Sequence, residues 1–144
     1  MSSTFELDGF IPYQVAVLAG RLGREFSHTY QERYGLSRSE WRVLVLLSGE
    51  GAVSVREIHA RVDMDKSKVS RAATRLEEMG AITKRVSTAD RRLVDLSLTP
   101  KGVAMIRDLA PLAQKFQSDL RERLGEDADA FLRGMERLAD LDDI

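Results

Sequence analysis

Seven residues between positions 66 and 75 carry side chains able to make polar contacts: Lys66, Ser67, Lys68, Ser70, Arg71, Thr74 and Arg75. Ser67, Ser70, Arg71 and Thr74 stand at i, i+3, i+4 and i+7, so they share one stripe of a helix. Val69, Ala72, Ala73, Leu76 and Met79 form the opposite, apolar stripe. Serine and threonine have middling helix propensity, and a merely solvated face would favour lysine and glutamate. Hydroxyls for base edges, arginine forks for guanine or phosphate, and lysines at the margins suit the major groove of double-stranded DNA. A second cluster lies in Thr88-Ala-Asp-Arg-Arg92. There Asp90, Arg91 and Arg92 would stand on a turn whose arginine can enter a minor groove. Asp90 would fix the arginine's direction and add little energy.

The surrounding pattern supplies elements to position both clusters. Residues 10–34 read as one long helix with Leu18, Leu22, Phe26 and Tyr30 along a stripe, Pro12 in its first turn and Gly35 as its cap. Ser37-Arg-Ser-Glu40 and Ser54-Val-Arg-Glu57 match the capping box and open two further helices. The first of these, with Trp41, Val43, Leu44, Leu46 and Leu47, is expected to be buried on most sides. Asp65 is the expected N-cap of a helix over 66–79 that Gly80 ends. Ile82–Ser87 and Leu93–Leu98 read as a β-hairpin, with Val94, Leu96 and Leu98 on one face. Thr99-Pro100 starts a helix running to residue 124, and 127–141 forms the last one. The fold class is mostly α with a small β-hairpin wing: a winged helix-turn-helix over 37–99, embedded in an all-helical dimerisation region over 1–36 and 100–144.

Composition narrows the chemistry. The 144 residues hold 22 Lys plus Arg and 23 Asp plus Glu, a net charge of −1. The total hides an asymmetry, because residues 54–102 hold 11 basic and 7 acidic side chains and residues 103–144 hold 6 and 10. A basic middle fits a local anionic partner. Cysteine is absent, which excludes disulfides, thiolate metal sites and cysteine nucleophiles. With only His28 and His59 as histidines, no metal site is expected. No nucleophile–base pair or glycine-rich phosphate loop emerges, so neither an enzyme nor a cofactor is expected. No apolar run is longer than Val43–Leu47, far short of the roughly 20 residues that span a bilayer. MSSTFELDGF lacks a basic stretch before an apolar one, and the expected location is cytoplasmic.

Met64-Asp-Lys-Ser-Lys-Val-Ser-Arg71, Leu76-Glu-Glu-Met-Gly-Ala-Ile82, Asp90-Arg-Arg92 followed by Leu98-Thr-Pro-Lys-Gly102, and Leu36-Ser…Trp41…Leu44 together resemble the MarR family of bacterial transcription factors. The resemblance implies a homodimeric winged-helix repressor on a near-palindromic operator, with Arg92 the wing arginine and Asp90 its orienting partner. It also implies that the terminal helices pair across a two-fold axis, where Phe5, Phe10, Ile11, Phe116, Leu120, Leu138, Leu141 and Ile144 offer apolar material. Family members often release DNA on binding a small, frequently aromatic and anionic, effector. Arg21, Arg24 and His28 share a face of the first helix; the resemblance implies that this face turns toward the second helix, which bears Trp41, and these four residues are the candidate receptor. A winged-helix module for protein contact alone is the competing reading; it would lack the polar face over 66–75.

Overall fold

A computed structural model describes residues 5–62 and 64–140. A 3-10 turn at Leu7–Gly9 leads into α1 (Ile11–Tyr34), then α2 (Arg38–Glu50), β1 (Val53–Ser54), α3 (Val55–Arg61), α4 (Lys66–Glu78), β2 (Ile82–Val86), β3 (Val94–Leu98) and α5 (Pro100–Leu124). A second 3-10 turn, Gly125–Asp127, precedes α6 (Ala128–Ala139). The chain divides into two compact units at Leu109/Ala110, within α5.

Local chemistry sets the boundaries in the first unit. Gly35 takes the left-handed conformation (φ 65°) and its amide closes on the carbonyls of Tyr30 and Gln31, ending α1. Ser37 and Glu40 form a complete capping box at the start of α2. At α3 the Ser54 hydroxyl accepts from the Glu57 amide, and at α4 the Asp65 carboxylate accepts from the Lys68 amide.

The core lies between α2, α3, α4 and the sheet. Val43 and Leu44 of α2, Ile58 of α3, Val69 and Leu76 of α4 and Leu96 of β3 are fully buried. Two features of the sheet differ from the sequence reading. The sheet has three antiparallel strands in the order β1-β3-β2, because Val53 pairs with Leu96 and Ser54 with Asp95. A two-residue strand merged into a helix cap gives no periodicity to read. The expected apolar face of β3 also fades outward. Leu96 is buried and Leu98 half-buried, but Val94, paired with Val86 at the far end of the hairpin, is 38% exposed. In α2, the expected burial on most sides gives way at Val45, which is exposed.

The second unit is helical. It contains the remainder of α5, which continues past Pro111, and α6. Phe131, Met135 and Leu138 recur along one exposed face of α6, and Arg121 of α5 is paired with Asp129 of α6.

Candidate nucleic-acid interface

α4 is turned as its two stripes require. Val69, Ala72, Ala73 and Leu76 are buried, while Lys66, Ser67, Lys68, Ser70, Arg71, Thr74 and Arg75 are all exposed. The turn before it is held by His59, whose Nδ1–H donates to the Met64 carbonyl at 2.6 Å. Ser70, Arg71, Thr74, Arg75 and Glu78 line a depression on the outer face. Two residues outside the expected set act on this face. Glu40, buried in its capping box, brings a carboxylate oxygen 3.9 Å from Arg75 Nε. Lys84, from β2, donates to the Thr74 hydroxyl at 3.0 Å and stands 3.8 Å from Glu77. Both approach from other elements, so spacing within the helix carries no sign of them.

The hairpin turn is built around Asp90. The Ser87 amide donates to the Leu93 carbonyl and the Leu93 amide to the Asp90 carbonyl, closing the loop. The Asp90 amide donates in turn to the Ser87 hydroxyl. The Asp90 carboxylate then accepts from the Arg92 amide (3.1 Å), from Nε (3.0 Å) and from Nη2 (3.0 Å). This two-point grip fixes the plane of the guanidinium, which remains 87% exposed. The Arg92 side chain, followed by its backbone amide, holds the Asp90 carboxyl below the ordinary value for aspartate. Arg91 beside it is exposed.

The hairpin is anchored at its base to α4 and α5. The Thr99 hydroxyl donates to the Gly80 carbonyl at 2.6 Å and accepts from the Gly102 amide. The Thr99 amide donates to the Ala81 carbonyl, and Lys101 Nζ donates to the Met79 carbonyl. Gly102 packs so closely on the Ala81 carbonyl that a Cβ would overlap it. The Leu98-Thr-Pro-Lys-Gly102 segment thus ties the exit of α4 to the start of α5.

The expected effector receptor is not brought together within one chain. Trp41 stacks on Tyr30 (centroids 5.2 Å apart, planes at 10°) and lies 5.5 Å from Phe26. At about 100° per residue, Arg21, Arg24 and His28 fall on the face of α1 opposite Phe26 and Tyr30. All three are exposed. The expectation that their face turns toward Trp41 is therefore corrected: aromatic side chains fill that approach. Tyr30 instead feels the positive charges of Arg38 and Arg42 of α2, although burial is the larger influence and raises its pKa.

Of the expected dimer residues, Phe5, Phe10, Ile11 and Leu138 are exposed and Phe116 and Leu120 half-buried. Leu141 and Ile144 lie outside the described residues. Leu7, Val15, Leu18, Phe131 and Met135, not in that set, are exposed as well. Among the described residues there is no cluster of three metal-ligating side chains and no helix long and apolar enough to cross a membrane.

Comparison with known proteins bears on this geometry. Residues 34–93 match the family model described as MarR family. The transcriptional repressor MdtR of Bacillus subtilis is 38% identical over 71 residues, 49% of this chain and 46% of that protein. The crystal structure of a MarR/EmrR family transcriptional regulator from Acinetobacter sp. ADP1 superposes with a TM-score of 0.84 at 26% identity, covering 96% of this chain and 99% of the other. Residues 34–93 are thus similar to the MarR family, and the likeness to solved regulators of that family extends over most of the chain. A further solved structure, the transcriptional repressor CouR bound to a 23-mer DNA duplex, superposes with a TM-score of 0.80 at 26% identity, covering 96% of this chain and 99% of that one. The matches span from 46% to 67% of the length of the curated relatives. These relatives are transcriptional regulators, not enzymes.

Proposed function

We propose that this chain is a sequence-specific DNA-binding transcriptional regulator of the MarR type, acting as a homodimeric repressor on a near-palindromic operator. The observation that carries the reading is the outward face of α4, where seven polar or basic side chains stand exposed behind a buried apolar stripe. The wing adds an arginine whose direction is set by Asp90 before any ligand arrives. A second copy of the chain would cover the apolar faces left open on α1 and α6 and place two recognition helices about 34 Å apart.

The test is an electrophoretic shift of duplex DNA from the gene's own promoter region across a salt series. Affinity should fall steeply with salt, in proportion to the phosphates neutralised. Arg92→Ala should weaken binding and reduce the magnitude of the salt slope by about two per dimer, one for each wing. Asp90→Asn should weaken it less, because the cation stays. A slope near zero would remove DNA from the account. Removing residues 127–144 should leave monomers in sedimentation that bind DNA poorly.

Release by a small aromatic anion is the regulatory part of the proposal. Trp41 and Tyr30 offer an aromatic wall, and Arg38 and Arg42 place positive charge near it. Arg21 and Arg24 could join such a site only from another direction, since their face is turned away from Trp41 in the same chain. Trp41→Ala should blunt release by benzoate-type probes. The double variant Arg21→Ala, Arg24→Ala decides whether α1's polar face takes part: a normal response removes it.

A further inference from the structure

One hydroxyl on the outward face of α4 is already committed inside the molecule. Thr74 Oγ1 donates to the Ser70 carbonyl at 3.0 Å and accepts from Lys84 Nζ at 3.0 Å. Lys84 is itself held, with its side chain 28% exposed and its ammonium 3.8 Å from the Glu77 carboxylate. A threonine hydroxyl has one hydrogen and two lone pairs. Here the hydrogen and one lone pair are taken, and the ammonium beside the oxygen disfavours a second incoming donor. A base edge therefore finds no donor at Thr74 and a crowded acceptor. The residue is nonetheless exposed, and the group left to offer is its methyl.

The surroundings agree with that chemistry. Thr74 lines a depression with Ser70, Arg71, Arg75 and Glu78, and most of its accessible lining is carbon. Among the groups a base pair shows in the major groove, the C5-methyl of thymine is the one that suits the methyl Thr74 has left to offer. The remaining groups there are hydrogen-bond donors and acceptors, and against Thr74 they would meet no free donor and only a crowded acceptor.

We propose that Thr74 is a specificity-determining residue that reads a thymine through methyl–methyl contact, and that Lys84 is the positioning residue that keeps its hydroxyl engaged. The inference rests on α4 being the major-groove helix and adds what one position of that helix reads.

The test uses the full chain and duplexes it selects from a randomised library, retitrated with each thymine replaced in turn by uracil, which differs only by the methyl. Wild type should show one uracil-sensitive position per recognition helix, with affinity there falling about four-fold, as loss of one buried methyl-sized group implies. Thr74→Val, which keeps the methyl and loses the hydroxyl, should retain that ratio. Thr74→Ser, which keeps the hydroxyl and loses the methyl, should bring it to about one. Lys84→Met should lower the ratio at this position and leave other positions unchanged. A Thr74→Ser chain that still discriminated thymine from uracil, or a Thr74→Val chain that did not, would overturn the contact. Tight, salt-dependent binding with no uracil-sensitive position would overturn it too, while leaving DNA binding intact. Selection of no duplex at all would overturn the DNA reading, and this inference with it.

Discussion

α1 and α4 each leave one face bare, and the two faces are opposite in kind. α4 buries Val69, Ala72, Ala73 and Leu76 and exposes hydroxyls and cations. α1 buries Phe26 and Tyr30 near its C-terminal end, but Ile11, Val15 and Leu18 along its N-terminal half are 55%, 52% and 42% exposed. The polar face of α4 is stable in water and complete in one chain; it waits for an anion. The apolar face of α1 forgoes roughly 25 cal/mol for each Å² left in water, and an exposed apolar stripe of this kind marks an interaction surface. Side-chain position is set within the chain on the polar face of α4 and left open along the apolar half of α1.

The largest effect that sharpens this contrast is on the anchored side. Leu76 is fully buried, so Leu76→Ala should cost about 2–5 kcal/mol in urea denaturation. A loss below about 1 kcal/mol would mean that α4 is not fixed by its inner stripe, since such values belong to exposed or collapsible sites. Gly102→Ala comes next. Its new methyl would meet the Ala81 carbonyl oxygen, which already accepts from the Thr99 amide. Backbone on both sides leaves little room to yield, and a cost of about 1–3 kcal/mol is expected in the same measurement.

The bare side should respond differently. Ile11→Asn should change stability within about 0.5 kcal/mol at concentrations where the chain is monomeric, as surface substitutions do. The same variant should weaken self-association, read as a shift of the sedimentation isotherm to higher concentration. An unchanged isotherm would detach the apolar face of α1 from dimer formation.

Much of this was legible in the sequence because short-range chemistry produced it. Ser37 with Glu40, Ser54 and Asp65 announce three helix starts by side-chain capping alone. The alternation of buried and exposed positions on α4 follows directly from its 3.6-residue period. What escaped notice depends on elements meeting in space. Strand β1 is two residues long and exists because β3 offers it an edge. Lys84 reaches Thr74 from ten residues away, and Glu40 reaches Arg75 from another helix. The misjudged face of α1 has a different origin. Arg21, Arg24 and His28 do share a face, but sharing a face does not say which neighbour it meets; the aromatic pair at 26 and 30 had already claimed α2.

The smallest effect tests whether the two halves of α1 are separate in function. At the C-terminal end, Arg33 Nη1 donates to both Asp108 carboxylate oxygens at 2.8 Å, and the Tyr34 hydroxyl donates to one of them at 2.9 Å. These bonds, that of Arg33 first and that of Tyr34 second, hold the Asp108 carboxyl below its ordinary value of 3.8. Burial, and then the bond to Asp108, raises the Tyr34 phenol above 10.0, so it stays a donor at neutral pH. A carboxyl whose pKa is depressed by folding contributes stability that is full above its unfolded value and lost as pH falls through the folded one. Wild type should therefore exceed Asp108→Asn slightly in denaturation midpoint at neutral pH, and the gap should close as pH falls below about 4. The gap will be small because the pair is solvent-screened. Self-association should not follow it, because Asp108 clamps the half of α1 that is already packed. If Asp108→Asn moved the sedimentation isotherm as far as Ile11→Asn, anchoring and association would be one property of the whole helix, and the division drawn between its two halves would fail.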